Sequence, residues 1–139
     1  MGEPATLEAL SVFAEAAQDL VTAGLDQSLG RFYACADACN QATEKLLQSV
    51  SLARVGHRAS YDHDLRTLGE TVGVPVDYLP ALESLSPFYP ESFYAHTDPE
   101  AADDAVLPEQ AQACMTNARL ILRWARGIVV GDAPDTGAR

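Results

Sequence analysis

The segment Phe32-Tyr33-Ala34-Cys35-Ala36-Asp37-Ala38-Cys39-Asn40-Gln41-Ala42-Thr43-Glu44-Lys45-Leu46-Leu47-Gln48-Ser49-Val50-Ser51-Leu52-Ala53 decides how this chain is read. Phe32, Ala36, Cys39, Thr43, Leu46, Val50 and Ala53 step by threes and fours, the spacing of one helix face. Ser28 stands where it can cap such a helix and Gly56 where it can stop it. A helix of about 26 residues spans roughly 39 Å, long enough to be the spine of a bundle.

Helical patterns flank this spine on both sides. Upstream, Leu7, Leu10, Phe13 with Ala14, Ala17, Leu20 and Val21 recur at helical spacing, with Thr6 as N-cap and Gly24 as stop. Downstream, a short helix is predicted from His63 to Val72, capped by Asp62 and closed by Gly73 and Pro75. Another runs from Asp77 to Leu85 and breaks at Pro87. Residues 96–107 are acidic and loop-like. The last helix opens at Pro108 and carries the stripe Ala111, Cys114, Ala118, Ile121, Leu122, Ala125, Ile128 and Val129. No segment alternates with period two. The predicted fold is all-α, an up-and-down antiparallel helical bundle of about five helices. Residues 1–131 are read as a single domain, and the Pro/Gly/Asp-rich residues 132–139 as a disordered tail.

A chain of 139 residues suits one domain. Folded, it buries roughly 68–70% of the surface its unfolded form exposes, enough for a core without disulfides or a structural metal. Nine basic residues face twenty acidic ones, a formal charge of −11. Such a surface repels phosphate polyanions unless its few cations are gathered in one place. That excludes a general nucleic-acid coat protein and leaves a site-specific RNA enzyme open. No apolar run reaches the roughly 18 residues of a membrane span. Met1-Gly2-Glu3-Pro4 lacks the basic start of a signal peptide, so a cytoplasmic setting with reduced thiols is expected. Cys35, Cys39 and Cys114 are read as core residues, and three scattered histidines give no ligand spacing. Neither a metal nor a cofactor is expected.

Taken together, several motifs carry a family resemblance. Tyr33 to Leu47 is similar to the long second helix of the HEPN family (higher eukaryotes and prokaryotes nucleotide-binding), with its aromatic, small-residue stretch and A-x-E-K-x-L-K core. His63-Asp64-Leu65 followed by Leu68 resembles the family's H-D-L helix start. Leu85 through Tyr89 to Phe93-Tyr94-Ala95 resembles the L-x-x-x-Y-x-x-x-R-Y-P block, and Leu122-Arg123-Trp124 its usual close. The resemblance runs over residues 6–127. It implies an all-α bundle that commonly dimerises. It also implies nucleotide binding or metal-independent RNA cleavage, and pairing with a minimal nucleotidyltransferase in toxin–antitoxin systems. Three positions depart from the pattern: Phe93 replaces the arginine of R-Y-P, Ala95 its proline, and Gln48 the second lysine. Phenylalanine cannot replace a planar cation with five donors.

The resemblance further implies that an active member carries an arginine followed four to six residues later by histidine. Arg58-Ala59-Ser60-Tyr61-Asp62-His63 fits that spacing, which makes Arg58 and His63 the candidate catalytic pair. Histidine titrates near neutrality and can move a 2′-hydroxyl proton, while arginine steadies phosphate charge. The alternative reading is a His63 that packs and hydrogen-bonds locally at a helix start between Asp62 and Asp64. Lys45, His63 and Arg66 are the candidate nucleotide-binding residues, aided by the helix N-terminus. Gln41 and Glu44 form a polar patch on the spine, either a cleft wall or solvated surface. Arg119, Arg123 and Arg126 share one face of the last helix, where they either offset its dipole or face a phosphate or partner. Phe88, Tyr89, Phe93 and Tyr94 plug an end of the bundle, form a dimer interface, or stack bases. The leading functional expectation is a homodimeric nucleotide- or RNA-binding component or nucleotidyltransferase partner. The alternatives are a metal-independent endoribonuclease toxin and a structural helical dimer without ligand.

Overall fold

Helix α2 (Phe32–Val55) is the axis around which the other elements pack. Fourteen of its residues are buried, so it is enclosed on more than one face. Ala36, Cys39, Thr43, Leu46 and Val50 of the expected stripe are all buried, and Cys35, Ala42, Leu47 and Leu52 join them from neighbouring faces. The structure, a computed structural model, describes residues 3–131, with side chains from residue 6 onward. The expected disordered tail, 132–139, lies outside the described residues.

Helix α1 (Glu3–Ser28) and helix α6 (Pro108–Val129) lie against α2 and against each other. Both run antiparallel to a neighbour. Lys45 of α2 meets Asp19 of α1 while Arg58, just past α2, meets Glu8. Gln27 near the end of α1 bonds Gln112 near the start of α6, at 2.8 Å. Helices α3 (Leu65–Val72) and α4 (Leu79–Leu85) and the short α5 (Pro90–Tyr94) fill the connection between α2 and α6. With five helices of seven residues or more and no strand among the described residues, the fold is the all-α bundle expected.

Several local expectations are corrected. Helix α1 starts at Glu3, ahead of Thr6, and passes through Gly24 to Ser28. Gly24 is not a stop: it lies inside the helix on the side of Met115 of α6, where a Cβ would fit at ordinary van der Waals distance, 3.8 Å from the Met115 methyl. The buried face of α1 is Ala9, Val12, Ala16, Leu20 and Ala23, whereas Leu7, Leu10 and Val21 of the expected stripe face outward. Alanines let α1 approach α2 and α6 closely, so the smaller side chains take the core.

Ser28 does not cap α2; its hydroxyl donates to Leu25 O at 2.8 Å. The orphan amides of α2 are met from far away in the chain. Asp103 Oδ1 accepts from Tyr33 N at 3.0 Å and Ala34 N at 3.3 Å. Gly56 ends α2 as expected, at φ +85°. Helix α3 begins two residues later than predicted, at Leu65, because Asp64 rather than Asp62 accepts from the Arg66 and Thr67 amides. Gly73 closes it at φ +90°. Arg54 ties three helices together: Nη1 donates to Val72 O at 3.0 Å, and its guanidinium lies 5.5 Å over the Trp124 ring.

The aromatic segment plugs one end of the bundle, the first of the three roles weighed for it. Phe93 stacks on Tyr33 with ring centroids 3.9 Å apart, and the Tyr33 hydroxyl donates to Phe88 O at 3.1 Å.

Candidate functional site

The loop from Gly56 to Asp64 crosses the outside of α2 and is pinned to it by buried polar side chains. Gln48 Nε2 donates to Ala59 O, and Gln48 Oε1 accepts from Ala59 N, both at 2.9 Å. Ser51 Oγ donates to His57 O at 2.6 Å. A glutamine amide offers both a donor and an acceptor, which a lysine at this position does not. Gln48, where the family pattern has its second lysine, therefore acts here as a clamp on the loop that carries Arg58 and His63.

His63 is the one described non-glycine residue with positive φ, at +73°. Left-handed backbone costs an L-residue roughly 1–2 kcal/mol and persists only where the surroundings hold it. Here they do. The imidazole stacks on Tyr89 at 4.7 Å with a 7° tilt and meets Tyr61 edge-on at 5.3 Å. Nε2 stands 3.6 Å from Glu91 Oε2. His63 is thus not part of α3, contrary to the helical start predicted for it. The departure to left-handed backbone turns its ring toward Tyr89 and Glu91.

Glu44 of α2 belongs to the same neighbourhood. Burial pushes its carboxyl above the usual glutamate range, and the charges of His63, Arg58 and Lys45 oppose that shift. The polar patch on α2 is therefore half-buried rather than fully solvated: Glu44 faces the loop, and Gln41 Nε2 donates to Asp37 Oδ1 at 3.2 Å. Burial also raises the Tyr61 phenol, helped by the charges of Glu44, Asp62 and Asp64. Arg58 lines an open cleft of about 420 Å³ with His57, Ser60 and Thr71. Arg58 also makes a 3.6 Å ion pair with Glu8, in which both side chains remain about half exposed. A guanidinium, an imidazole and two hydroxyls around a cleft of this size can take a small anion.

The proposed anion contacts are not all brought together. Lys45 turns to α1, with Asp19 at 2.9 Å and Glu15 at 3.7 Å. The Asp19 hydrogen bond raises its pKa. Arg66 pairs with Glu83 at 2.6 Å and Glu70 at 3.7 Å. The N-terminus of α3, expected to help hold a phosphate, is filled by the carboxylate of Asp64. Arg58 and His63 also have carboxylate partners, Glu8 and Glu91 at 3.6 Å each, and with Lys45 they favour the charged form of Glu44.

Tyr61, Tyr89, Glu91 and the Gln48 clamp were missing from the sequence-level site. Tyr61 lies inside the Arg58–His63 interval and could have been found there. Tyr89 and Glu91 arrive from the aromatic segment by tertiary packing, without a short-range signal. A second cavity, about 450 Å³, lies between α4, α5 and α6 over Phe88, Phe93, Ala113 and Cys114. Its thiol is Cys114, which burial pushes up to about 12, so it stays protonated and inert. The cysteines pack in the core; Cys39 Sγ lies 3.4 Å from Met115 Sδ. No group of three or more metal-binding side chains occurs among the described residues. No helix among them is long and apolar enough to cross a membrane.

A family model for the HEPN domain matches residues 9–128. Among solved structures, the chain is similar to a protein from Thermus thermophilus, at 27% identity and a TM-score of 0.73, over 85% of this chain and 95% of that one. It is also similar in fold to an archaeal HEPN homologue, at 21% identity and a TM-score of 0.74, over 87% of this chain and 97% of that one. No curated protein matches.

Proposed function

The chain belongs to the HEPN domain family, and from that membership we propose that it is a nucleotide- or RNA-binding component that partners a minimal nucleotidyltransferase in a toxin–antitoxin-type system. The proposed unit is residues 1–131 as one domain, acting in the cytoplasm as a homodimer. The observation that supports the reading most is the open cleft of about 420 Å³ lined by Arg58, His57, Ser60 and Thr71, on the loop that also carries His63. Phe93, where the family's R-Y-P has its arginine, is spent on a ring stack with Tyr33. Anion recognition therefore falls to the Arg58–His63 loop. Calorimetry with ATP tests the reading. Micromolar to millimolar binding in the parent protein, lost in Arg58→Ala, supports it. An absence of binding in the parent contradicts it.

A second reading, a metal-independent endoribonuclease, is favoured by one observation. His63 is held in a costly backbone conformation next to a carboxylate and a phenol, and such strain clusters at functional sites. In that reaction His63 takes the 2′-hydroxyl proton and the 2′-oxygen attacks phosphorus. The P–O5′ bond breaks and the departing 5′-oxygen takes a proton, while Arg58 offsets the phosphate charge. RNA incubated with the protein and a chelator is then cleaved by the parent and not by His63→Ala. Cleavage that survives His63→Ala, or that stops with chelator, removes this reading.

A further inference from the structure

The cleft beside Arg58 does not end at Thr71. It adjoins a second hollow of about 270 Å³, lined by Ser60, Tyr61, Asp62, Thr67 and Thr71. Ser60 and Thr71 belong to both hollows, so the two meet across these hydroxyls.

The two ends differ in chemistry. The first carries a cation, the half-exposed guanidinium of Arg58, with His57 beside it. No cation lines the second. Most of its polar side chains are set to accept hydrogen bonds. Thr71 Oγ1 donates its proton to Thr67 O at 3.0 Å, and Thr67 Oγ1 donates its own to Asp64 Oδ2 at 2.9 Å. Both hydroxyls are left with acceptor lone pairs. Asp62 is exposed, and an ionised carboxylate only accepts. Expected from the sequence as the cap of α3, Asp62 is relieved of that role by Asp64. Its Oδ1 takes the Asp64 amide at 3.2 Å, and its Oδ2 makes no hydrogen bond or ion pair among the described residues. The Ser60 hydroxyl, between the two ends, can serve either.

A ligand that fills both hollows therefore has an anion at one end and hydroxyl donors at the other. A phosphate set against Asp62 meets a like charge with no cation to offset it. A phosphate set against Arg58 meets the opposite charge. The charges thus fix one orientation. We propose that Asp62 is the sugar-recognising residue of this site and that the ligand class is a ribonucleotide, with its phosphates at Arg58 and the 2′,3′-diol of its ribose on the Asp62 carboxylate. The diol supplies two donors on adjacent carbons, and a carboxylate with lone pairs to spare accepts them in charge-assisted hydrogen bonds. An acidic side chain selects ribose by its 2′-hydroxyl in dinucleotide-binding folds by the same chemistry. The inference rests on the nucleotide-binding reading above and adds to it a discrimination between ribose and 2′-deoxyribose.

Calorimetry with ATP and with 2′-deoxy-ATP tests it. The parent protein binds ATP about 10-fold more tightly or better, the value of one hydrogen bond to a charged group. Asp62→Ala brings the two affinities within about 2-fold of each other, because the charged acceptor is gone. Its affinity for 2′-deoxy-ATP stays at or above the parent value, since the anion end is untouched and a carboxylate near the phosphates has been removed. Asp62→Asn keeps an oxygen for the Asp64 amide but loses the charge, and its preference falls between those of the parent and the alanine variant. Equal affinities in the parent overturn the proposal. So does a preference that survives Asp62→Ala. An equal loss of both nucleotides in that variant also overturns it, by making Asp62 a support of the loop. Each of these results leaves the nucleotide site standing, whereas a parent that binds neither nucleotide removes the site and the proposal together.

Discussion

Gln48 holds the backbone of Ala59 on both sides of its Cα, donating to its carbonyl and accepting from its amide at 2.9 Å each. The clamp links the buried spine of the bundle to the loop that carries Arg58 and His63. Gln48 is only 4% exposed, so removing it leaves backbone groups without partners in a water-poor place. Gln48→Ala is expected to lower unfolding stability by about 1–3 kcal/mol in urea titration. It should also speed amide exchange in residues 57–63. Gln48→Lys should fare no better, since lysine has no acceptor for the Ala59 amide. A loss under about 0.5 kcal/mol, typical of an ordinary surface site, would mean that the clamp does not hold the loop.

His63 isolates the cost of its backbone conformation. Alanine and glycine both remove the imidazole and its contacts with Tyr89, Tyr61 and Glu91, and only glycine relieves φ +73°. His63→Gly is therefore expected to be more stable than His63→Ala by about 1 kcal/mol, measured by denaturant midpoint at constant slope. Equal stabilities would show that the loop relaxes away from left-handed backbone once the ring is gone.

Glu44 gives a pH signature. Burial raises its folded-state pKa above the ordinary value of 4.5. Above that raised pKa the folded protein holds an ionised carboxylate partly out of water, and the unfolded chain does not. The cost is present at neutral pH and disappears as pH falls through the folded pKa to below the unfolded one. Glu44→Gln should accordingly unfold at a higher temperature than the parent at pH 7, with the gap closing below about pH 4.5. A variant less stable than the parent at pH 7 would show that attraction to Arg58 and His63 outweighs desolvation.

Asp103 tests the remote cap. Its carboxylate meets the first free amides of α2 from seventy residues downstream in sequence. Asp103→Ala should cost about 0.5–2 kcal/mol, and Asp103→Asn a fraction of that, because asparagine still offers an oxygen. If the two cost the same, the charge on the helix terminus matters more than the hydrogen bond.

Much of this architecture was legible because α2 carries its pattern on a side that is buried almost throughout. Helix α1 was misread for a physical reason. It has two apolar faces, and periodicity alone favours the one with larger side chains, Leu7, Leu10 and Val21, over the alanine-rich face that close packing selects. Helix α3 was placed two residues early because Asp62 and Asp64 both have capping chemistry, and the conformation of His63 hands the role to Asp64. In the site, the Arg58–His63 spacing is a local signal and could be read. Lys45 and Arg66 could not be sorted from it by sequence. In a chain with twenty acidic and nine basic residues, most cations find a carboxylate nearby, and which one is decided by helix packing.

If the loop of Arg58 and His63 over Glu44 is the functional site, a nucleotide must perturb it before any other surface. The most direct measurement is an amide NMR titration of isotope-labelled protein with ATP. Saturable shifts are expected at residues 57–63 and at Glu44, reduced in Arg58→Ala. Saturable shifts confined to residues 119–126, or no shifts at millimolar ATP, would contradict that placement.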